Sequence, residues 1–170
     1  MSVREVIKLP HPTLRKKAHE VRDFGEAFQG LVEDMVETMR VEDGVGLAAP
    51  QVNQSLRMIV VEYPEDDSRE DAPKKLFIMV NPEIVKRAEE TVLGIEGCLS
   101  VPDIVGEVER SERVEVRGLN RNGKKMKVRA KGWLARVFQH EIDHLDGVLF
   151  VDRATQIWKT SDVEEEVPVE

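Results

Sequence analysis

The residues best suited to chemistry are His140, Glu141 and His144, in the run His140-Glu141-Ile142-Asp143-His144. On a helix, two imidazoles four residues apart return to nearly the same azimuth one turn along, so both can point a ring nitrogen at one metal ion. Glu141 sits one step round from His140, where a general base can move a proton without ligating the ion. Cys98, the single cysteine, cannot close an internal disulfide. In a reducing compartment such a thiol is a small core residue, a ligand or a nucleophile. Gln51 is the one polar side chain that ends the uncharged run Gly44-Val45-Gly46-Leu47-Ala48-Ala49-Pro50.

Two histidines leave a catalytic metal one protein ligand short. The protease pattern His-Glu-x-x-His-x-x-Gly-x-x-His would supply a third histidine. Gly147 meets its glycine, but Phe150 stands at its last histidine, so the pattern fails. Spacing leaves three candidates, Asp152 and Asp162 downstream and Cys98 upstream in Glu96-Gly97-Cys98-Leu99-Ser100. The run from Gly44 to Gln51 reads as a tight loop, because it does not complete Gly-x-Gly-x-x-Gly and no Gly-Lys-Ser or Gly-Lys-Thr follows.

The elements that must position these residues follow from hydrophobic period. Phe24, Phe28, Leu31, Val32, Met35, Val36 and Met39 recur at helical steps, predicting an amphipathic helix that ends near Val41. Residues 4–9 read as a strand stopped by Pro10-His11-Pro12, and residues 57–63 and 76–80 as buried strands around an exposed loop at 64–73. Further strands are expected at 84–89 and 91–95. Residues 112–119 and 124–130 alternate charged and apolar side chains around Asn120-Arg121-Asn122-Gly123, which predicts a hairpin with one wet face. From Gly132 a second helix carries Trp133, Leu134, Val137, Phe138, Leu145 and both histidines to a stop at Gly147, and residues 148–151 follow as a short strand. The expected fold is α+β and single-domain, with antiparallel or mixed β-sheets around a central metal-binding helix and an N-terminal amphipathic helix.

A chain of 170 residues, 41% hydrophobic and 34% charged, suits one domain with a real core. A net charge of -8 argues against a general phosphate-binding surface, so no direct nucleic-acid binding is expected. Asp162, Glu164, Glu165, Glu166 and Glu170 concentrate negative charge where no Lys or Arg occurs. Residues 1–155 are therefore expected to form the catalytic domain and residues 156–170 an acidic, disordered tail. No apolar run of about 18 residues and no apolar leader is present, so neither membrane insertion nor secretion is expected and the cytoplasm is the default.

Taken together, the segments Gly44 to Gln51, Glu96 to Ser100 and His140 to His144 resemble the three motifs of the peptide deformylases, in order and at similar separations. The likeness extends from residue 4 to about 153. It implies a hydrolase that removes the formyl group from the N-terminal formyl-methionine of nascent polypeptides. It further implies Cys98, His140 and His144 as ligands of one divalent ion, natively Fe2+, with Zn2+, Ni2+ or Co2+ able to occupy the site. Glu141 would be the general acid/base, Gln51 and the backbone amide of Leu99 would bind the oxyanion, and Gly46 would hydrogen-bond the substrate. Val45, Trp133 and Val137 are expected to line the slot for the methionine side chain, with Glu96 behind the ligands, held by a cation such as Arg110. Some relatives dock on the ribosome through a basic C-terminal helix; the acidic tail here is not expected to do so. Two other readings use the same helix, a metallopeptidase and a non-catalytic metal-binding module.

Overall fold

Alternation of charged and apolar side chains over residues 113–131 folds as the expected hairpin, β6 (Arg113–Leu119) with β7 (Lys125–Lys131). Val114, Val116, Val128 and Ala130 turn inward while Arg113, Arg117, Lys127 and Arg129 face water. This hairpin extends a five-stranded sheet of order β1-β2-β3-β6-β7, with β1 (Gly46–Ala48), β2 (Met58–Tyr63) and β3 (Lys75–Arg87). A three-stranded sheet has the order β4-β5-β8, with β4 (Thr91–Cys98), β5 (Val101–Ser111) and β8 (Gln156–Lys159). All paired strands run antiparallel. This computed structural model describes residues 2–162.

Two helices cover opposite faces of the larger sheet. α1 (Glu26–Val41) lays the expected stripe, Phe28, Leu31, Val32, Met35, Val36 and Met39, on Leu47, Met58, Val60 and Val80. Each such side chain contributes about 1.5–3 kcal/mol by leaving water. α2 (Gly132–Leu145) packs Leu134, Val137, Phe138 and Leu145 on the other face and also touches β5 of the smaller sheet. Its histidines therefore sit between the two sheets. α2 ends in a Schellman arrangement, Gly147 N–H donating to the His144 carbonyl (3.1 Å) and Val148 N–H to that of Asp143 (3.0 Å). Gly147 is at φ +74°, and a Cβ there would lie 2.5 Å from the Arg15 carbonyl oxygen, so the expected stop has both a conformational and a steric cause.

Several elements differ from the sequence expectation. Residues 4–9 are not a sheet strand; they form a strap, Ile7 N–H donating to the Gln51 carbonyl (2.8 Å) and Leu9 N–H to that of Ser100 (3.0 Å). Gly46–Ala48 is a short edge strand rather than loop, followed by a 3-10 turn over Ala49–Val52. The expected strands at 76–80 and 84–89 are one, β3, because the break signalled by Asn81-Pro82 is absorbed by a bulge between Val80 and Glu83. β5 was masked by the turn-like residues Pro102, Asp103 and Gly106. Residues 148–151 are not a strand: the Asp152 carboxylate accepts from Leu149 N–H at 2.8 Å and starts a helical turn, α3 (Phe150–Arg153). The boundary at 155/156 falls inside the fold, since Gln156–Lys159 pairs with β5; the rest of the expected tail, 163–170, lies outside the described residues.

Candidate active site

The site is built from three places distant in sequence. α2 brings His140, Glu141 and His144; the end of β4 brings Cys98; the 3-10 turn after β1 brings Gln51. All five are buried, Gln51 and Glu141 completely. The ligand atoms of Cys98, His140 and His144 lie within 4.8 Å of one another. His144 Nε2 is 3.4 Å from Cys98 Sγ, close to the edge of about 3.5 Å that tetrahedral ligation at ~2.3 Å from sulfur and ~2.05 Å from nitrogen would require. Burial, and then the neighbouring His140, push the His144 pKa well down, so its ring is neutral as a ligand must be. A thiol and two neutral imidazoles with three ligand atoms converging fit a divalent transition metal. Asp152 is not part of this cluster, its carboxylate being engaged by Arg15 and Leu149 N–H, and Asp162 is exposed beyond β8.

Behind the ligands lies an ionic network. Glu96 is fully buried and accepts four hydrogen bonds: from Arg110 Nε (2.9 Å) and Nη2 (2.8 Å), Arg136 Nη1 (2.6 Å) and His140 Nδ1 (2.9 Å). With Nδ1 so engaged, a ligand bond from His140 would run through Nε2. Arg110 also donates to Asp143 (2.7 Å), which Arg153 of α3 clamps at 2.6 and 3.0 Å. The expected placement of Glu96 and Arg110 holds. The roles of Asp143, Arg136 and Arg153 were not read from sequence, although Arg136 and Asp143 share a helix face with His140, at steps of four and three residues from it.

Two side chains stand ready for the reaction. Gln51 Oε1 accepts from Ala48 N–H (3.0 Å), which orients its amide so that Nε2 faces Cys98 Sγ (3.5 Å) and Ser100 Oγ (3.1 Å). Glu141 has no hydrogen-bond partner on either carboxylate oxygen among the described residues. Burial first, and then the charge of Glu96, push its pKa well above the ordinary carboxylate value, so it is poised to carry a proton. Gly46 is where Glu141 passes the backbone: a Cβ there would lie 2.6 Å from Glu141 Oε2. Leu99 follows Cys98 and packs against the α1 core, and a Cβ on Gly44 would meet its side chain at 3.3 Å.

The polypeptide deformylase family model matches residues 3–160. The chain belongs to this family. It is 50% identical over 166 residues to a peptide deformylase of Symbiobacterium thermophilum, covering 98% of this chain and 73% of that protein. It is 47% identical to one of Desulforudis audaxviator, covering 94% and 98%. The crystal structure of peptide deformylase from Thermotoga maritima aligns with a TM-score of 0.82 at 41% identity, covering 92% of this chain and 100% of that one. The deformylase fold thus accounts for the two sheets and the helix between them.

Of the residues expected around a deformylase substrate, Trp133 lines a groove of about 340 Å³ whose walls include Val92, Leu93, Gly94 and Arg136. The Arg136 guanidinium lies 5.5 Å from the Trp133 ring and fills the space a Cβ on Gly94 would need, at 2.7 Å. Val45 packs, half-buried, against the same core cluster but does not line the groove, and Val137 is wholly inside that core and does not line it either.

Proposed function

We propose that the chain removes the formyl group from the N-terminal formyl-methionine of nascent polypeptides, releasing formate, and does so in the cytoplasm. Residues 3–160 would be the catalytic unit. Cys98, His140 and His144 would hold one divalent ion, Fe2+ as the family resemblance implies, with Zn2+, Ni2+ and Co2+ as substitutes; the thiolate donor suits iron or zinc over magnesium or calcium. Such an ion supplies activated water and a polarised formyl carbonyl.

The chain's own groups do the rest. Glu141 takes a proton from the attacking water and returns it to the leaving amine. The Gln51 Nε2 amide, with Leu99 N–H, donates to the oxygen on which negative charge develops. Gly46 offers backbone groups to the substrate beside Glu141, and the groove walled by Trp133 receives the methionine side chain, with Val45 close by and Val137 beneath. The observation that carries the reading is the fixed amide of Gln51: its carbonyl is tied to Ala48 N–H, so its donor end is directed at the Cys98 side of the site before any substrate arrives. Contact with the ribosome, in this reading, does not run through the C-terminal segment, which is acidic.

The test is formate release from a formyl-Met peptide by protein purified without oxygen, wild type against Glu141→Gln. Activity that falls about 10²–10⁴-fold with metal content retained is expected. No release by metal-loaded wild type would overturn the proposal and leave a non-catalytic metal module, as cleavage of internal amides instead would overturn it; an unchanged Glu141→Gln would remove Glu141 from the proton transfer.

A further inference from the structure

The net charge of -8 conceals a cationic face. On β7, Val128 and Ala130 point toward α2, so Lys125, Lys127, Arg129 and Lys131 project from the opposite side. At two residues per repeat they form a row spaced about 6.7 Å apart. On β6, Arg113 stands directly opposite Lys131 and Arg117 opposite Lys127, adding a second row about 4.8 Å away. Lys86 of β3 extends the face by a third strand. Like charges directly opposite across strands destabilise a sheet. The fold nevertheless places two such pairs on this face, one on either side of the Glu115–Arg129 pair.

Internal carboxylates neutralise part of this. Glu115 is 5% exposed and paired with Arg129 at 3.1 Å and with Arg117 at 3.5 Å, Glu83 stands opposite Arg117, and Glu65 is paired with Lys75 at 3.0 Å. Lys86, Arg113, Lys125, Lys127 and Lys131 make no salt bridge among the described residues. A groove of about 500 Å³ runs past Lys86, Arg113, Arg129 and Lys131, with Glu65 and Glu115 also in its walls.

We propose that this face binds the phosphate backbone of double-helical RNA. A three-strand grid of cations in which Lys86, Arg113, Lys125, Lys127 and Lys131 make no salt bridge among the described residues suits a polyanion contacted through phosphates, which position a nucleic acid without reading its bases. Single-strand sites add stacking aromatics, and membrane-surface sites set Trp, Phe or Leu among their cations. The groove lining contains none of these. The choice of RNA over DNA rests on the proposed action on nascent chains. The binding test is read without catalysis, so the two can fail separately.

The experiment is fluorescence anisotropy of a labelled RNA duplex with the full chain, titrated with salt. Four phosphate contacts predict a slope of log K against log[salt] near -3.6, an affinity loss of about 150-fold between 50 and 200 mM. The double variant Lys127→Glu/Lys131→Glu should weaken binding at least ~10-fold and flatten the slope by about 2. It should release formate normally and melt no lower than wild type, because each new Glu faces an arginine. The milder Lys127→Ala/Lys131→Ala should lose affinity in the same direction and provides the reading if the charge reversal misfolds. Absence of RNA binding at low salt, equal binding by the folded variants, or tighter binding of duplex DNA or of anionic vesicles would overturn the proposal.

Discussion

Replacing Glu96 by Gln is the most direct test of the network behind the ligands. The carboxylate is fully buried and accepts four hydrogen bonds, from Arg110 twice, Arg136 and His140. Glutamine keeps the shape but removes the charge and turns one acceptor into a donor facing other donors. Arg136, 5% exposed in its side chain, is then left without a counter-charge, and the equally buried Arg110 keeps only Asp143. Removing one partner of a buried pair costs about 3–5 kcal/mol. At about 2–4 °C per kcal/mol for a domain of this size, melting should fall by about 6–20 °C. His140 also loses the acceptor that fixes its Nδ1, and loss of such a partner costs about 10–100-fold in metal affinity or activity. Thermal melts, formate release and a chelator titration on the same preparation check all three. A variant that melts within about 1 °C of wild type and holds metal equally well would refute the reasoning.

The same residue gives a pH dependence whose sign is fixed. Burial opposes ionisation of Glu96, but the hydrogen bonds from Arg110 and His140 outweigh it and hold the carboxyl well below the ordinary carboxylate range. A depressed carboxyl contributes stability that is fully present above its unfolded pKa, about 4.3, and is lost as pH falls toward the folded value. The gap in stability between wild type and Glu96→Gln should therefore be widest at neutral pH and narrow below about pH 4. A gap that widens on acidification would contradict it.

Other substitutions separate the remaining roles. Gln51→Leu should lower kcat by about 10²–10³-fold, the value of one fixed oxyanion donor, while leaving metal content unchanged; elemental analysis beside steady-state kinetics checks this. Gly46→Ala puts a methyl 2.6 Å from the present position of Glu141 Oε2, so kcat/KM should fall with only a small change in melting. Ending the chain after Thr155 removes β8 and its pairing with β5, which should lower the melting temperature by several degrees, whereas ending it after Asp162 should leave the melt unchanged.

What was legible in the sequence was local. The two histidines and Glu141 fall on one helix, so a four-residue spacing carries most of their geometry, and the helix stop at Gly147 is likewise written in one residue. The α1 stripe and the β6–β7 hairpin are legible for the same reason, because each has an unbroken period. β3 failed because Asn81-Pro82 carries the local signal of a break while the global fold accommodates it as a bulge. Residues 4–9 have the composition of a strand but are recruited one hydrogen bond at a time, to Gln51 and to Ser100. The partner that decides their state lies about 45 or 90 positions away along the chain.

The same distinction separates the ligands from what positions them. Cys98 could be proposed from a motif, but the choice among Cys98, Asp152 and Asp162 is a matter of convergence, and β4 delivers only Cys98 beside the histidines. Arg110, Arg136 and Arg153 come from β5, α2 and α3 and meet on two carboxylates, Glu96 and Asp143. No spacing rule links them, because buried ions are matched in space rather than along the chain. Charge total misleads for a related reason: the sum over 170 residues is negative, yet strand alternation sorts lysines and arginines onto one side of β6 and β7, and a net charge does not report that local field.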